Sequence, residues 1–398
     1  MAAVTGLLGA LAAPAPDPII ALMQRLAADP RDGRIDLGVG VYRDAAGRTP
    51  VMGAVAAAEA RILAAQQTKG YLGLAGDPGF LAAMVDLLLG ASSDRVAAVA
   101  TPGGSGALRQ VLALVAQANP DAQVWIGVPS WPNHAAIAEG LGLAVRPHAY
   151  LDAGGGVDTA AMLADLEGAR AGDVVVLHAS CHNPSGADLT GDDWAAVADL
   201  CARRGLVPLV DVAYQGFGAG LEEDVAGLRH LAGGLPEVLV AASGSKSFGL
   251  YRERVGLALA LCAGPAEAGR VGAALAALNR RNFAFPPDHG ARVVTTILRD
   301  PVLCADWRAE LAGIRRRVQA NRSALAQALR VATQGAGFDA LERQRGMFSL
   351  LDLAPDRIEA LRERHAIYLV PDGRINIAGL TPATIPTVAT AIATVLRG

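Results

Sequence analysis

Residues 174–212 read VVVLHASCHNPSGADLTGDDWAAVADLCARRGLVPLVDV. An apolar run, Val174 to His178, opens the stretch and a second, Val207 to Val212, closes it. Between them Trp194 to Arg203 carries a helical pattern. Strand, helix and strand in that order form the repeating unit of a parallel sheet. Working outward, short runs recur at Val124 to Val128, Val238 to Ala242 and Val255 to Leu261, with helical patterns between most of them. The alternation predicts an α/β fold on a mostly parallel, doubly wound sheet. From about Cys304 the texture changes. An amphipathic, arginine-rich helix, Trp307 to Leu329, leads into Gly346-Met347-Phe348-Ser349-Leu350. A further helix precedes Ile367-Tyr368-Leu369-Val370 and Arg374-Ile375-Asn376-Ile377. This predicts a smaller α+β domain. The expected division is an N-terminal arm and part of the small domain at 1–43, a large domain at 44–303 and the small C-terminal domain at 304–398.

The bulk numbers narrow the class. The chain has 398 residues, 52% of them hydrophobic, with alanine carrying much of that share. No run approaches the ~20 apolar residues that span a bilayer. Net charge is -3 with mixed signs, which argues against a nucleic-acid surface. Met1 to Pro16 is apolar and alanine-rich, yet the first cationic side chain is Arg25, so the start reads as mature protein rather than a signal peptide. Cys181, Cys201, Cys262 and Cys304 show no C-x-x-C spacing and no metal pattern, as expected of reduced thiols in a cytoplasm.

Lysine is nearly absent. Lys69 and Lys246 are the two lysines among thirty-five cationic residues. Arginine stays charged and cannot serve as an amine nucleophile, whereas a desolvated lysine loses its proton readily and forms Schiff bases. Lys69 precedes Gly70-Tyr71 in a polar stretch and reads as a surface residue. Lys246 lies in Ser243-Gly244-Ser245-Lys246-Ser247-Phe248-Gly249, directly after a buried-looking strand.

Ligands of open α/β sheets bind beyond the carboxyl ends of the strands. After Val128 comes Pro129-Ser130-Trp131-Pro132-Asn133-His134, and after His178 comes Ala179-Ser180-Cys181-His182-Asn183-Pro184-Ser185-Gly186. The run to Val210 delivers Asp211-Val212-Ala213-Tyr214-Gln215-Gly216, and the run to Ala242 delivers Ser243 to Lys246. One sheet edge thus collects an amine, a carboxylate, an amide, a phenol, an indole and imidazoles. Pyridoxal phosphate needs such a set: a lysine for its aldehyde, a carboxylate for its pyridinium, neutral donors for its ring oxygen and an aromatic slab for its face. Its phosphate needs a helix N-terminus, and Thr101-Pro102-Gly103-Gly104-Ser105-Gly106 opens a helical pattern at Ala107 to Ala116. Alone that turn is weak, for it lacks the endings of a nucleotide or dinucleotide loop.

On these residues the chain resembles the class I aminotransferases of fold type I, in the aspartate and aromatic amino-acid branch. The likeness runs from Pro16-Asp17-Pro18-Ile19 to Ala378-Gly379. Its motifs include Tyr71-Leu72-Gly73, Ser130-Trp131-Pro132-Asn133-His134, Cys181-His182-Asn183-Pro184, Asp211-Val212-Ala213-Tyr214-Gln215-Gly216-Phe217, Ser245-Lys246, Tyr251-Arg252-Glu253-Arg254 and Gly346-Met347-Phe348-Ser349. The resemblance implies that Lys246 holds the cofactor covalently and then shuttles the substrate proton. It implies that Asp211 pairs with the pyridinium nitrogen with His134 behind it, that Asn183 and Tyr214 meet the phenolate oxygen, and that Trp131 stacks on the ring. Gly104, Ser105, Ser243 and Arg254 would bind the phosphate, joined by Tyr71 of a neighbouring subunit, so a homodimer with shared active sites is implied. Arg374 would clamp the substrate α-carboxylate, and Arg280 from the neighbour would meet a distal carboxylate. Gly40 and Phe348 would line the pocket. Singly, each residue has a plain reading: Asp211 as a helix cap, Trp131 and Phe348 as core, Arg254 and Arg280 as surface charges. Jointly those readings fail, because independent accidents do not set all these types in this order.

The pattern departs from aspartate-specific enzymes in Arg280-Arg281-Asn282-Phe283-Ala284-Phe285-Pro286-Pro287. Phe285 stands where those enzymes resemble one another in an Asn, and an aromatic there is similar to bacterial aromatic aminotransferases. A hydroxyl is missing at Ala284, and Ser105 and Gly70 replace a common Thr and Asn. Val41, Arg43 and Thr49 look aspartate-type. The expected reaction is transamination of Tyr, Phe and Trp, and also of aspartate, with 2-oxoglutarate and glutamate as the partner pair. A strict aspartate aminotransferase is the alternative. Other pyridoxal reactions, such as β-lyase or decarboxylase chemistry, are disfavoured by the paired Arg374 and Arg280. A regulator's effector domain is disfavoured by the lack of a helix-turn-helix and a basic face.

Overall fold

The structure, a computed structural model, describes residues 7–12, 17–335 and 337–397. Most of the Met1 to Pro16 segment, and Pro16 at the start of the family likeness, lie outside the described residues. The central sheet has seven strands: β1 (Val96–Pro102), β2 (Gln123–Val128), β3 (Ala144–Ala149), β4 (Val174–His178), β5 (Val207–Val212), β6 (Val238–Ser243) and β7 (Val255–Leu261). Their order is β1-β7-β6-β5-β4-β2-β3. Strands β2 to β6 pair in parallel wherever they are neighbours. β7 is antiparallel to both β1 and β6, so β1 runs with the parallel set. The carboxyl ends of β1, β2, β4, β5 and β6 therefore reach one edge. Every residue of β6 and β7 is buried, as both faces of a helix-covered sheet require.

Two strands escape the apolar-run reading. β1 is Val-Ala-Ala-Val-Ala-Thr-Pro, too rich in alanine to stand out as β-branched. β3 is an edge strand carrying Arg146, Pro147 and His148, residues tolerated where one side of the ladder is unpaired.

The small-domain elements form two short sheets. Ile35–Asp36 pairs in parallel with Ile367–Tyr368, and Phe348–Leu350 pairs antiparallel with Arg374–Asn376. The helix Pro301–Ala332 starts earlier than its amphipathic pattern suggests. Pro301 fits the first turn, and the Asp300 side chain accepts from the N–H groups of Val302 and Leu303. Its Trp307 is fully buried, stacks on Phe248 at 4.5 Å and donates from Nε1 to the Ser247 carbonyl at 2.8 Å. That long helix thereby grips the turn after β6.

β1 ends in the helix Gly103–Ala118, whose first residue takes φ +74°. Gly256 on β7 lies directly beneath it. A Cβ at Gly256 would overlap the Gly103 backbone, which cannot move without shifting the strand. Gly256→Ala is expected to lower unfolding free energy by about 1–3 kcal/mol through overpacking, read as a lower urea midpoint at unchanged slope.

Candidate active site

The strand ends enclose a cavity of about 260 Å³. Its walls include Gly104, Ser105, Trp131, Asn183, Asp211, Tyr214, Ser243, Lys246, Arg254, Phe348, Arg374 and Gly40. These twelve are all residues singled out by the sequence. Lys69, the other lysine, is exposed.

The turn after β6 fixes Lys246. The Gly244 N–H donates to the Val255 carbonyl at 2.9 Å, and the Ser247 hydroxyl donates to the Gln215 carbonyl at 2.7 Å. With Trp307 behind, the turn is held on three sides, and the Lys246 Nζ lies 4.8 Å from the Tyr214 ring centre. Burial, opposed by Asp211 and assisted by Arg254 and Arg374, brings the Lys246 amine down to about 8.

Asp211 ends β5 and is buried. Burial alone would raise its carboxyl, but the His134 hydrogen bond at 2.8 Å and the neighbouring positive charge bring it below the usual range. His134 is buried and does not line the cavity; its second nitrogen faces the Ser130 hydroxyl at 3.1 Å. Sequence reasoning left out His178, which lines the cavity and packs edge-on to His134 with ring centres 5.1 Å apart. Burial pushes His178 down to about 3, so its imidazole is neutral.

At the other wall no side chain caps the helix Gly103–Ala118, so its first N–H groups are free beside Ser243. A Cβ at Gly104 would sit 3.0 Å from the Ser243 Cβ, a contact tight enough that the Ser243 side chain would have to give by a few tenths of an ångström. Arg254, at φ +53°, donates to the Ser245 hydroxyl and to the Tyr251 carbonyl, each at 3.2 Å. This end is built for an anion.

Arg374 reaches the cavity from the small sheet. One guanidinium nitrogen donates to the Asn183 side-chain oxygen at 3.0 Å and another to the Gly38 carbonyl at 3.0 Å. Its Nε is buried without a partner, and the group lies 4.4 Å from the Phe348 ring centre. Gly40 lets the wall close on Phe348: a Cβ there would stand 2.7 Å from the tip of the ring and force it to shift. Asn376 holds the segment by donating to the Val39 and Val41 carbonyls at 2.7 and 2.8 Å.

Ile19, Ala213, Ser245 and Tyr251 also line the cavity and were not singled out for a role. Tyr251 accepts the Tyr42 N–H at 3.1 Å, and burial pushes its phenol up to about 12. The available signal was its place in the Tyr251-Arg252-Glu253-Arg254 motif. Tyr71, Arg280 and Phe285 do not line this chain's cavity. They gather on the surface: Tyr71 is 86% exposed and stacks on Phe285 at 4.7 Å, and the Arg280 guanidinium lies 5.8 Å from the Phe285 ring centre.

The sequence pattern of the family Aminotransferase class I and II matches residues 32–392. The chain is 51% identical over 389 residues to the aromatic-amino-acid aminotransferase of Paracoccus denitrificans, covering 97% of this chain and 99% of that protein. It is 42% identical over 391 residues to the aspartate aminotransferase of Escherichia coli strain K12, covering 97% and 98%. The aromatic-amino-acid aminotransferase of Burkholderia pseudomallei, solved covalently bound to pyridoxal phosphate, superposes with a TM-score of 0.95 at 40% identity, covering 98% of this chain and 99% of that one. The chain belongs to the class I and II aminotransferases. It is an aminotransferase of fold type I.

The lowered amine gives a direct test. Cofactor-free protein treated with a small aldehyde and borohydride should gain modification at Lys246 about tenfold per pH unit up to about pH 8, then level off. Peptide mass analysis reads the site. A rate that keeps climbing to about pH 10 would show an ordinary, solvated amine.

Proposed function

We propose that the chain is a pyridoxal-phosphate-dependent aminotransferase acting on aromatic amino acids and on aspartate, with 2-oxoglutarate as amino acceptor. The carrying observation is that a buried, readily deprotonated Lys246 shares one cavity with an ionised Asp211 and an anion-binding helix end. The donor set fits the cofactor: an amine, a carboxylate, two neutral donors, an indole and a glycine cradle in which a Cβ at Gly104 would press on Ser243. When bound, the cofactor supplies an electron sink that makes the substrate's Cα proton removable.

The chain's own residues do the rest. Lys246 would hold the cofactor through its amine, and the same amine would carry the substrate's Cα proton. Asp211, kept ionised by His134, holds the ring nitrogen protonated. Burial keeps the Tyr214 phenol protonated, so with Asn183 it gives neutral donors to the ring oxygen. Trp131 would cover the ring face, and Gly104, Ser105, Ser243 and Arg254 would hold the phosphate. Arg374, already oriented by Asn183 and Gly38, takes the α-carboxylate bidentately. Its fixed fork limits the rotation of the substrate about Cα.

The surface group Tyr71, Arg280 and Phe285 completes the site of a second copy, which makes the working form a homodimer. Arg280 receives dicarboxylates, and the Phe285 and Tyr71 rings offer aromatic substrates an apolar wall. Residues 44–303 would hold the cofactor, and the small domain, 304–398 with 1–43, would supply Arg374 and Gly40 to the same cavity. No helix among the described residues is long and apolar enough to cross a membrane. Cys181, Cys201, Cys262 and Cys304 are unpaired, in keeping with the proposed cytoplasmic location.

Titration of the holoenzyme with L-phenylalanine and, separately, L-aspartate, followed in the cofactor's visible band, tests the reading. Both amino acids should convert it, and 2-oxoglutarate should restore it. Conversion by aspartate alone would leave an aspartate aminotransferase. Lys246→Ala should cost roughly 10²–10⁴ or more in turnover, since it removes the proton-transfer group.

A further inference from the structure

Behind the exposed face lies a group of amides that the reaction does not use. Gln110, in the middle of the helix Gly103–Ala118, and Asn279, one residue before Arg280, are both fully buried. Their neighbours are apolar: Ala107, Leu108, Val111, Leu275 and Leu278 belong to the same core cluster. The Gln110 amide nitrogen donates to the Asn279 side-chain oxygen, and Asn282 donates to the Gln110 side-chain oxygen at 2.6 Å. The Asn279 nitrogen donates to the Leu74 carbonyl at 2.8 Å and to the Ala100 carbonyl at 3.1 Å. Each buried nitrogen and oxygen of the two side chains has a partner.

The partners are spread in a telling way. Leu74 is three residues past Tyr71, Asn282 is three residues before Phe285, and Asn279 adjoins Arg280. One amide chain thus fixes the loop bearing Tyr71, the helix end bearing Arg280 and the turn bearing Phe285. It ties all three to the helix whose first turn borders the cavity. Apolar side chains would fill the same space, but they slide; directional amides with every position satisfied admit one register.

We propose that Gln110 and Asn279 are positioning residues for substrate choice. The chain Gln110–Asn279–Asn282 sets where Tyr71, Arg280 and Phe285 stand when a second copy receives them, and so sets the ratio of dicarboxylic to aromatic turnover. This rests on the reading that the exposed face completes a second copy's pocket.

The experiment is single-turnover conversion of the holoenzyme by L-aspartate and by L-phenylalanine, with no oxo acid present to confuse the distal site. Gln110→Met keeps the volume and removes the amide. It should weaken apparent aspartate binding roughly tenfold or more, with the maximal rate and the phenylalanine constants nearly unchanged, the effect of a small misplacement of one charge. Asn282→Ala cuts the chain at its exposed end and should move the same ratio less, which covers the case that Gln110→Met does not fold. Arg280→Ala separates the two levels of the argument. If Arg280→Ala spares aspartate, the reading of the shared site fails. If Arg280→Ala cripples aspartate while both amide variants leave the substrate ratio where it was, or lower both substrates equally, the inference fails and the amides are merely structural.

Discussion

Lys246 is enclosed by protein, and enclosure opposes its charge. Asp211 would restore that charge, but Arg254 and Arg374 work the other way, so the amine settles near 8. Nearly every other feature of the cavity serves this balance. Asp211 must stay ionised without water, which its bond to the buried His134 secures. Were Asp211 protonated, Lys246 would lose the carboxylate that opposes Arg254 and Arg374, and its amine would fall further. The cationic excess, in turn, makes the cavity receptive to a cofactor and a substrate that both bring anionic groups.

Holding such groups in place requires loops that do not yield. Two carboxylates outside the cavity, Asp188 half-buried and Asp224 buried, gather backbone N–H groups from the loops that enter it. Asp188 accepts from Cys181 and His182, each at 2.8 Å, just before Asn183. Cys181 sits at φ +56°, a conformation that needs such support in a residue with a side chain. Asp224 accepts from Gly216, Gly218, Ala219 and Gly220, just after Tyr214. Burial raises both carboxyls, and the donated N–H groups offset part of that cost. Arg322, fully buried on the long helix, does the converse: it donates to the Gly346 and Phe348 carbonyls and to the Ser349 hydroxyl. The strand that pairs with the one bearing Arg374 is thereby fastened to the helix that also grips Ser247.

The parts of this arrangement legible in the sequence are those written in contiguous residues. Apolar runs at 174–178, 207–212 and 238–242 are buried on both sides, so their periodicity and their chemistry-bearing ends stand out. The rarity of lysine singled out Lys246 before any contact was known. β1 and β3 were obscured, the first by alanine and the second by the polar habits of an edge. The antiparallel placement of β7 was not legible either, because a buried Val-Gly-Leu-Ala-Leu-Ala-Leu run reads the same in both directions. His178 lines the cavity although nothing in the sequence marks it, since a neutral imidazole at a strand end carries no local sign of exposure. Gln110 and Asn279 are 169 residues apart, and nothing local distinguishes a buried amide that meets a distant partner from one that caps a turn.

Substrate choice and assembly are then one problem. The cavity of a single chain offers Arg374 for an α-carboxylate, with Phe348, Gly40 and Ile19 beside it. Apart from Arg254 at the anion end and Lys246 itself, no other cation borders it among the described residues. A methylene more or less against Phe348 would separate substrates by only about 1–3 kcal/mol, whereas an unpaired carboxylate facing that ring would cost more. A lone chain would therefore favour apolar side chains and reject dicarboxylates. Arg280 stands outside on the surface, leaning on Phe285, which itself stacks on Tyr71; in the proposed second copy it would supply the charge that a lone cavity lacks. The same face carries the apolar rings that suit one substrate class and the guanidinium that suits the other. On the proposed shared site, how strongly each would be felt depends on the angle at which one copy presents the face to the next, an angle that the buried Gln110–Asn279 pair would set from far behind the reacting amine.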